Sequence, residues 1–424
     1  MTDDNIAQLL EVAGRSYTPD SATGLARVRT REARQRRVRR TTSIGLVLLA
    51  VVSATVGLVL SIPGGNLANP VRYLRIAPTA QIVELSGPSN GLTDVYFANV
   101  TEGIGMEQDC SLSPTTNTMC SLTIVKTGDG GRRWTPVGHP LHVTYPDSRA
   151  SYPFINFATN GKDGWIYGSK TFVTHNGGKT FEESGPPGLV SDLSIVGNKA
   201  WALSRPCPPG IPGCSTTVYS APTNGGPWRA IQGTPVLQYP YLQLLRTSEE
   251  AAFLAAQATD GTLYVTENGG VSWVSHPLPS LCAQLQHLAV SSMHKVWALC
   301  SAGTPTDTQT KELYQSVNAG STWVLVATSN SDAESGVGRL PVSGIVTQLT
   351  SVGADRLLIA LDNGSVIEST NGGRTWAPQG LPANGSVIQL TFTDAQQGWA
   401  ILSPNDTLYR TSDGGAHWTL AENQ

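Results

Sequence analysis

Two sets of residues in this 424-residue chain have types and spacing that could do chemistry. The first is a series of oxygen-bearing side chains: Asp129, Asn176, Asn224, Asn268, Asn318, Asn371 and Asp413. Six of the seven sit in the pattern Ser/Thr-x-Asp/Asn-x-Gly-x-x-aromatic, and the copy at 222–228 is one residue shorter. The second set is six cysteines, Cys110, Cys120, Cys207, Cys214, Cys282 and Cys300. In the first set the Asp or Asn can accept hydrogen bonds from the backbone N–H groups that follow it, as in an Asx turn. The glycine allows a positive φ at no steric cost. The hydroxyl can tie the turn to its incoming strand. The aromatic residue buries a large flat surface as the chain leaves the turn. The chemistry is therefore hydrogen bonding within a self-supporting β-hairpin turn.

The spacing says what these turns belong to. The aromatic positions are Trp134, Phe181, Trp228, Trp273, Trp323, Trp376 and Trp418, and the Asp/Asn positions step by 47, 48, 44, 50, 53 and 42 residues. Self-similarity at that period marks a propeller or solenoid. A second signal recurs between the turns. Short apolar runs at Val95–Phe97, Trp165–Tyr167, Trp201–Leu203, Phe253–Ala255, Trp297–Leu299, Leu358–Ala360 and Trp399–Ile401 read as second strands buried on both faces. Both signals give seven, so the expectation is an all-β, seven-bladed β-propeller over residues 80–422. Asp163, Asp355 and Asp394 sit beside first turns and read as turn residues.

The repeated turn resembles the Asp-box, or BNR repeat, of sialidase-like propellers, with Phe181 replacing Trp in one copy and Ala319 replacing a glycine in another. The resemblance implies that the box is a folding device on the turn between third and fourth strands. It also implies a comparison with sialidase, whose chemistry needs an arginine cluster for a carboxylate, a Tyr nucleophile with a Glu partner, and an Asp acid/base. Arg149, Arg205 and Arg339, with Tyr145, Asp147, Tyr239, Tyr241 and Glu334, are the residues that map near one face. They stand among Gly, Ser and Pro, and sialidase propellers have six blades. Ordinary loop residues are therefore the preferred reading, and the named Arg and Tyr positions stay as a candidate binding face. The seven-bladed count is more similar to the photosystem II stability/assembly factor group, which implies a non-enzymatic scaffold. Xyloglucanase-type hydrolases also use seven such blades, but pair two propellers around a cleft.

In an up-down blade, the one-two and three-four turns share one face, here called the turn face. The two-three turns and the links between blades share the other, the link face. Segments 101–119, 137–152, 204–216, 301–311 and 327–343 read as long insertions on the link face, and all six cysteines fall in or beside such segments. Variable loops on a rigid scaffold are where binding usually resides. Proximity suggests the disulfides Cys110–Cys120, Cys207–Cys214 and Cys282–Cys300, each worth at most about 2–3 kcal/mol, although spacing alone leaves other connectivities open. No CxxC pair or paired-His motif supports a metal site. The seven histidines are scattered and read as surface residues. No Walker A loop, HExxH, GxSxG or Rossmann fingerprint is present, so no catalytic or cofactor residue is assigned.

The N-terminus is a separate matter. Residues 1–42 carry nine Arg against five acids, net +4, and leave −7 for the rest of the chain. The large domain thus has no nucleic-acid footprint. Ser43 to Ile62 is 20 residues without a charge, about 30 Å as a helix, which matches a bilayer core. The Arg cluster before it predicts a cytoplasmic N-terminus. The expected organisation is a cytoplasmic tail over 1–42, a transmembrane helix over 43–62, a linker over 63–79, and an extracytoplasmic propeller anchored in the plasma membrane. A non-catalytic scaffold for a protein or glycan is the preferred function, and a sialidase-like glycoside hydrolase the alternative.

Overall fold

A computed structural model describes residues 91–112, 118–145, 153–206, 215–237, 242–256, 261–280, 282, 284–302, 310–330, 335–382 and 385–421. These residues form strands, turns and connections, with no helix among them. The expected transmembrane segment, tail and linker lie outside the described residues. No helix among the described residues is long and apolar enough to cross a membrane.

The strands form seven sheets, each built from consecutive strands that pair antiparallel except for one added strand in blade 5. Blade 1 is β1 (Leu92–Phe97), β2 (Gly103–Leu112), β3 (Thr118–Thr127) and β4 (Thr135–Tyr145). Blade 2 is β5 (Phe154–Phe157), β6 (Gly164–Tyr167), β7 (Phe172–Thr174) and β8 (Glu182–Glu183). Blade 3 is β9 (Leu189–Val196), β10 (Lys199–Arg205), β11 (Thr217–Pro222) and β12 (Arg229–Ala230). Blade 4 is β13 (Leu242–Arg246), β14 (Ala252–Ala256), β15 (Thr262–Thr266) and β16 (Val274–Pro277). Blade 5 is β17 (Gln284–Val290), β18 (Val296–Ala302), β19 (Thr310–Ser316) and β20 (Val324–Thr328), with β21 (Gly338–Arg339) added in parallel to β20. Blade 6 is β22 (Val346–Val352), β23 (Arg356–Leu361), β24 (Val366–Ser369) and β25 (Ala377–Pro378). Blade 7 is β26 (Val387–Phe392), β27 (Gly398–Leu402), β28 (Thr407–Thr411) and β29 (Thr419–Leu420).

The described residues thus form the seven-bladed all-β propeller that the repeats predict. Neighbouring first strands pack in sequence, and blade 7 meets blade 1 at β1. Six of the seven apolar runs are second strands. The exception is Val95–Phe97, which belongs to the first strand β1, while the second strand of blade 1 is β2. This corrects the reading of 101–119 as an insertion. Two glycines and the polar run Glu107–Asp109 hid a ten-residue strand there. Likewise, all of 137–152 that is described is the end of β4, hidden in sequence by Pro136, Gly138 and Pro140, where the register shifts around a bulge.

Each core cluster lies between two blades. Ile104, Met106, Leu122 and Ile124 of blade 1 pack on Ile155, Phe157 and Ile166 of blade 2, with Phe181 at the margin. Trp201 of blade 3 packs with Leu244 and Leu254 of blade 4, with Trp273 beside it. Trp165, Trp201, Trp297 and Trp399 are fully enclosed second-strand residues.

The repeated turns share one geometry. Thr127 Oγ1 donates to Asp129 Oδ1 at 2.8 Å, and Asp129 Oδ1 accepts the Arg133 N–H at 3.0 Å. The Gly131 N–H returns to Thr127 Oγ1 at 2.9 Å. The same closed set recurs at Thr174/Asn176, Thr266/Asn268, Ser316/Asn318, Ser369/Asn371 and Thr411/Asp413. Blade 3 departs from it because Pro222 stands where the hydroxyl would be. Second-strand tryptophans use the next blade's turn as an acceptor: Trp399 Nε1 donates to Gly130 O at 3.0 Å and Trp297 Nε1 to Gly372 O at 3.2 Å. Trp165, which precedes the shortened copy, has a buried Nε1 without an acceptor among the described residues.

Ala319 holds φ +57° where the other standard turns have glycine. A side chain in that region is strained. Ala319→Gly is therefore expected to raise stability by about 0.5–1 kcal/mol in chemical denaturation, against the usual direction of Ala-to-Gly changes.

Candidate functional site

The first strands surround the propeller axis, and their inner edges have no neighbouring strand to take their backbone groups. One polar residue in each first strand, placed just before a buried apolar one, serves the next blade. Asp94 Oδ2 accepts the Ile155 N–H at 2.8 Å. Asn156 Nδ2 donates to Leu193 O at 2.8 Å. Asp192 Oδ2 accepts the Leu244 N–H at 3.0 Å. Gln243 accepts from the Leu288 N–H at 2.8 Å and donates to Gln286 O at 2.7 Å. His287 Nε2, in its N–H form, donates to Val346 O at 3.4 Å. Gln348 grips both Leu390 N and O, and Gln389 grips both Val95 N and O, at 2.7–2.9 Å. Seven side chains thus join the seven blades in a circle. The sequence signal for them was present and unused: a lone Asp, Asn, Gln or His immediately before a core residue in every first strand.

The ring is electrostatically uneven. Burial pushes the Asp94 carboxyl up to about 7, against the lowering effect of the Ile155 N–H and Gln389. Burial likewise raises Asp192 to about 6. It lowers His287 to about 4, so that this histidine is neutral near neutral pH rather than the surface residue expected. Tyr167 is pushed well above its usual range by burial and then by the Asp192 and Asp94 charges. Its ring lies 5.8 Å from that of Phe154, which is exposed at the link face. A tyrosine, two carboxylates of raised affinity for protons, and an exposed phenylalanine therefore cluster on blades 1 to 3.

The sequence candidates are distributed differently. Arg205 ends β10 opposite Leu189, and its Nε is buried without a hydrogen-bond partner among the described residues. Arg339 is exposed in β21 and donates to Asn330 O. Tyr145 ends β4 opposite Thr118 at the tip of blade 1. These three stand on blades 3, 5 and 1. Arg149, Tyr239, Tyr241, Asp147 and Glu334 lie outside the described residues, as do Cys207 and Cys214. The other two expected disulfides are present: Cys110–Cys120 joins residues directly opposite in β2 and β3, and Cys282–Cys300 ties the segment after blade 4 to β18. Asp163 lies in a first turn, accepting from Asn160 and facing His175 Nδ1 at 2.6 Å. Asp355 pairs with Lys295, and Asp394 accepts the Gln396 and Gln397 N–H groups. Among the described residues, no group of three or more His, Cys, Asp or Glu is placed to hold a metal ion.

The ring makes stability depend on pH in two opposing ways. Asp94 and Asp192 bind protons more tightly when folded, so their contribution is full below about 4 and is lost as pH rises through about 6–7. His287 binds its proton less tightly when folded, so its contribution is full above about 6.5 and is lost as pH falls toward 4. His287→Gln removes the second effect. Relative to the parent, it is expected to gain on the order of 1–2 kcal/mol as pH drops from 7 to 4.5, read by thermal unfolding.

No protein-family model matches the sequence, and no curated protein sequence matches it. Solved structures do match in fold. A structure of YCF48 bound to D1 peptide aligns with a TM-score of 0.51 at 17% identity, covering 76% of this chain and 93% of that one. YCF48 from Cyanidioschyzon merolae gives 0.50 at 13% identity, with 76% and 93% covered. An ancestral GH74 enzyme gives 0.55 at 13% identity, with 81% of this chain and 48% of that one covered. At such identities the likeness concerns the fold alone: this chain is a seven-bladed β-propeller, similar to YCF48 over most of that protein and to GH74 over about half of that enzyme.

Proposed function

We propose that this chain is a single-pass plasma-membrane protein whose propeller is displayed outside the cytoplasm and binds a protein or glycan without turning it over. The binding face in this reading is the link face. The observation that carries it is blade 1, whose strands β2 to β4 run ten, ten and eleven residues and rise on that face as a hairpin clipped by Cys110–Cys120. YCF48, a propeller of similar fold, has been solved with a peptide bound, which supports a protein partner over a glycan. The charge-free segment 43–62 after the Arg-rich tail supports the anchor and its orientation. Asp94 and Asp192 are engaged by backbone N–H groups of the next blade, which supports a structural role for both.

A hydrolytic reading has one specific observation in its favour. Tyr167 lies within electrostatic reach of Asp94 and Asp192, and both carboxyls hold protons more tightly than usual. The two readings separate in one experiment. The full chain in detergent is applied to a glycan array and assayed with fluorogenic glycosides, including sialosides. The expected result is no turnover with any glycoside. Turnover abolished by Asp94→Asn, Asp192→Asn or Arg339→Ala, in variants that keep the parent's thermal unfolding, would make this an enzyme.

A further inference from the structure

The outer strand of blade 1 is unlike the others. β4 has eleven residues, whereas β8, β12, β25 and β29 have two each, β16 four and β20 five. A long edge presents a row of unpaired N–H and C=O groups and is a ready template for another strand. The chain itself shows this on β20, the next longest outer strand. There Gly338–Arg339 adds in parallel, pairing with Ala327 and Thr328, and the Leu340 N–H bonds to Thr328 O. Nothing among the described residues pairs with the outer edge of β4. Pro136, Gly138 and Pro140 blunt its first half, but Leu141–Tyr145 runs past them without a proline or glycine.

That open stretch is also held firm. Cys120, Leu122 and Val143 on its inner face are buried against blade 2. The Cys110–Cys120 bridge fastens β2 to β3 beneath it. Its outer face is solvated, with Asp109, Ser121 and His142 in one cross-strand row and exposed Met119 opposite Thr144. Among the described residues, the charges flanking it are mostly acidic. Exposed Asp109 stands on the outer face, and exposed Glu182 lies in the outer strand of the next blade. The three arm strands contain one Lys or Arg, Lys126, which lies at the turn-face end and donates to Gly161 O. Lys170 is paired with Glu183.

We infer that the edge of β4 over Leu141–Tyr145 accepts an extended, basic segment of a partner polypeptide as an added strand. Main-chain hydrogen bonds hold the segment, and the flanking carboxylates attract its Lys or Arg side chains, an attraction that salt screens. The inference rests on the link-face reading above and narrows it to one blade and one partner chemistry.

The test uses the full chain in detergent and synthetic peptides of about ten residues that alternate Lys with Thr or Val, with an otherwise equal Glu-containing set as control. Fluorescence anisotropy is expected to show saturable binding of the Lys set only, weakening as salt rises. N-methylation at alternate backbone positions is expected to abolish it, and Asp109→Lys with Glu182→Lys to weaken it about tenfold or more. Equal binding of the N-methylated peptides would overturn strand addition. Indifference to the double charge reversal, or absence of binding by every Lys peptide, would overturn the site. Weakening instead by Glu267→Lys, on the turn face, would sink the link-face reading as well.

Discussion

The constraint on which this propeller depends is the unsatisfied inner edge of each first strand. A four-stranded blade pairs its strands with one another and leaves the backbone groups nearest the axis without a strand partner. Burying such groups unpaired costs about 1–3 kcal/mol each. Here the previous blade supplies a side chain at every junction, from Asp94 and Asn156 through to Gln389. The same contacts set the angular order of the blades. They also close the circle between the first and last blades: Gln389 holds Val95 at both N and O, and Phe97 stacks on Trp399 at 3.7 Å between ring centroids. Among the described residues, blade 7 is built entirely from its own consecutive strands, so this junction relies on side chains.

A second circle lies on the turn face. The repeated Ser/Thr–Asp/Asn turn fixes its own backbone, which frees a glycine carbonyl to receive the indole N–H of the preceding blade at Trp399 and Trp297. Cations reinforce it. Arg410 donates to Val100 O and Asp129 O in blade 1, and Arg356 donates to Ala395 O and Gly414 O in blade 7. With the turn face held by short, uniform contacts, length variation falls on the link face. There blade 1 grows its arm and blade 5 gains its fifth strand.

What could be read from sequence followed from periodicity. The seven turns and six of the seven second strands stood out because each repeats a pattern with a single physical cause, a self-bonded turn or a strand buried on both faces. Blade 1 was misread where that cause is diluted. Its second strand starts Gly103-Ile104-Gly105 and carries Glu107 and Asp109 on a solvated face, so no apolar run announces it. The axial latches were missed for a different reason. Asp94, Asn156, Asp192, Gln243, His287, Gln348 and Gln389 vary in type, because any side chain that reaches the next backbone will serve. The clustering of Tyr167 with Asp94 and Asp192 depends on three separate strands meeting at the axis, which spacing does not reveal.

The most direct test of this account is native-state hydrogen exchange at the Val95 amide in the full chain carrying Gln389→Leu. If side-chain latches close the ring, removing both bonds to Val95 accelerates its exchange about tenfold or more. The Leu390 amide, held by Gln348, keeps most of its protection. Unchanged protection at Val95 would show that something other than the latch joins blade 7 to blade 1, and would contradict the account.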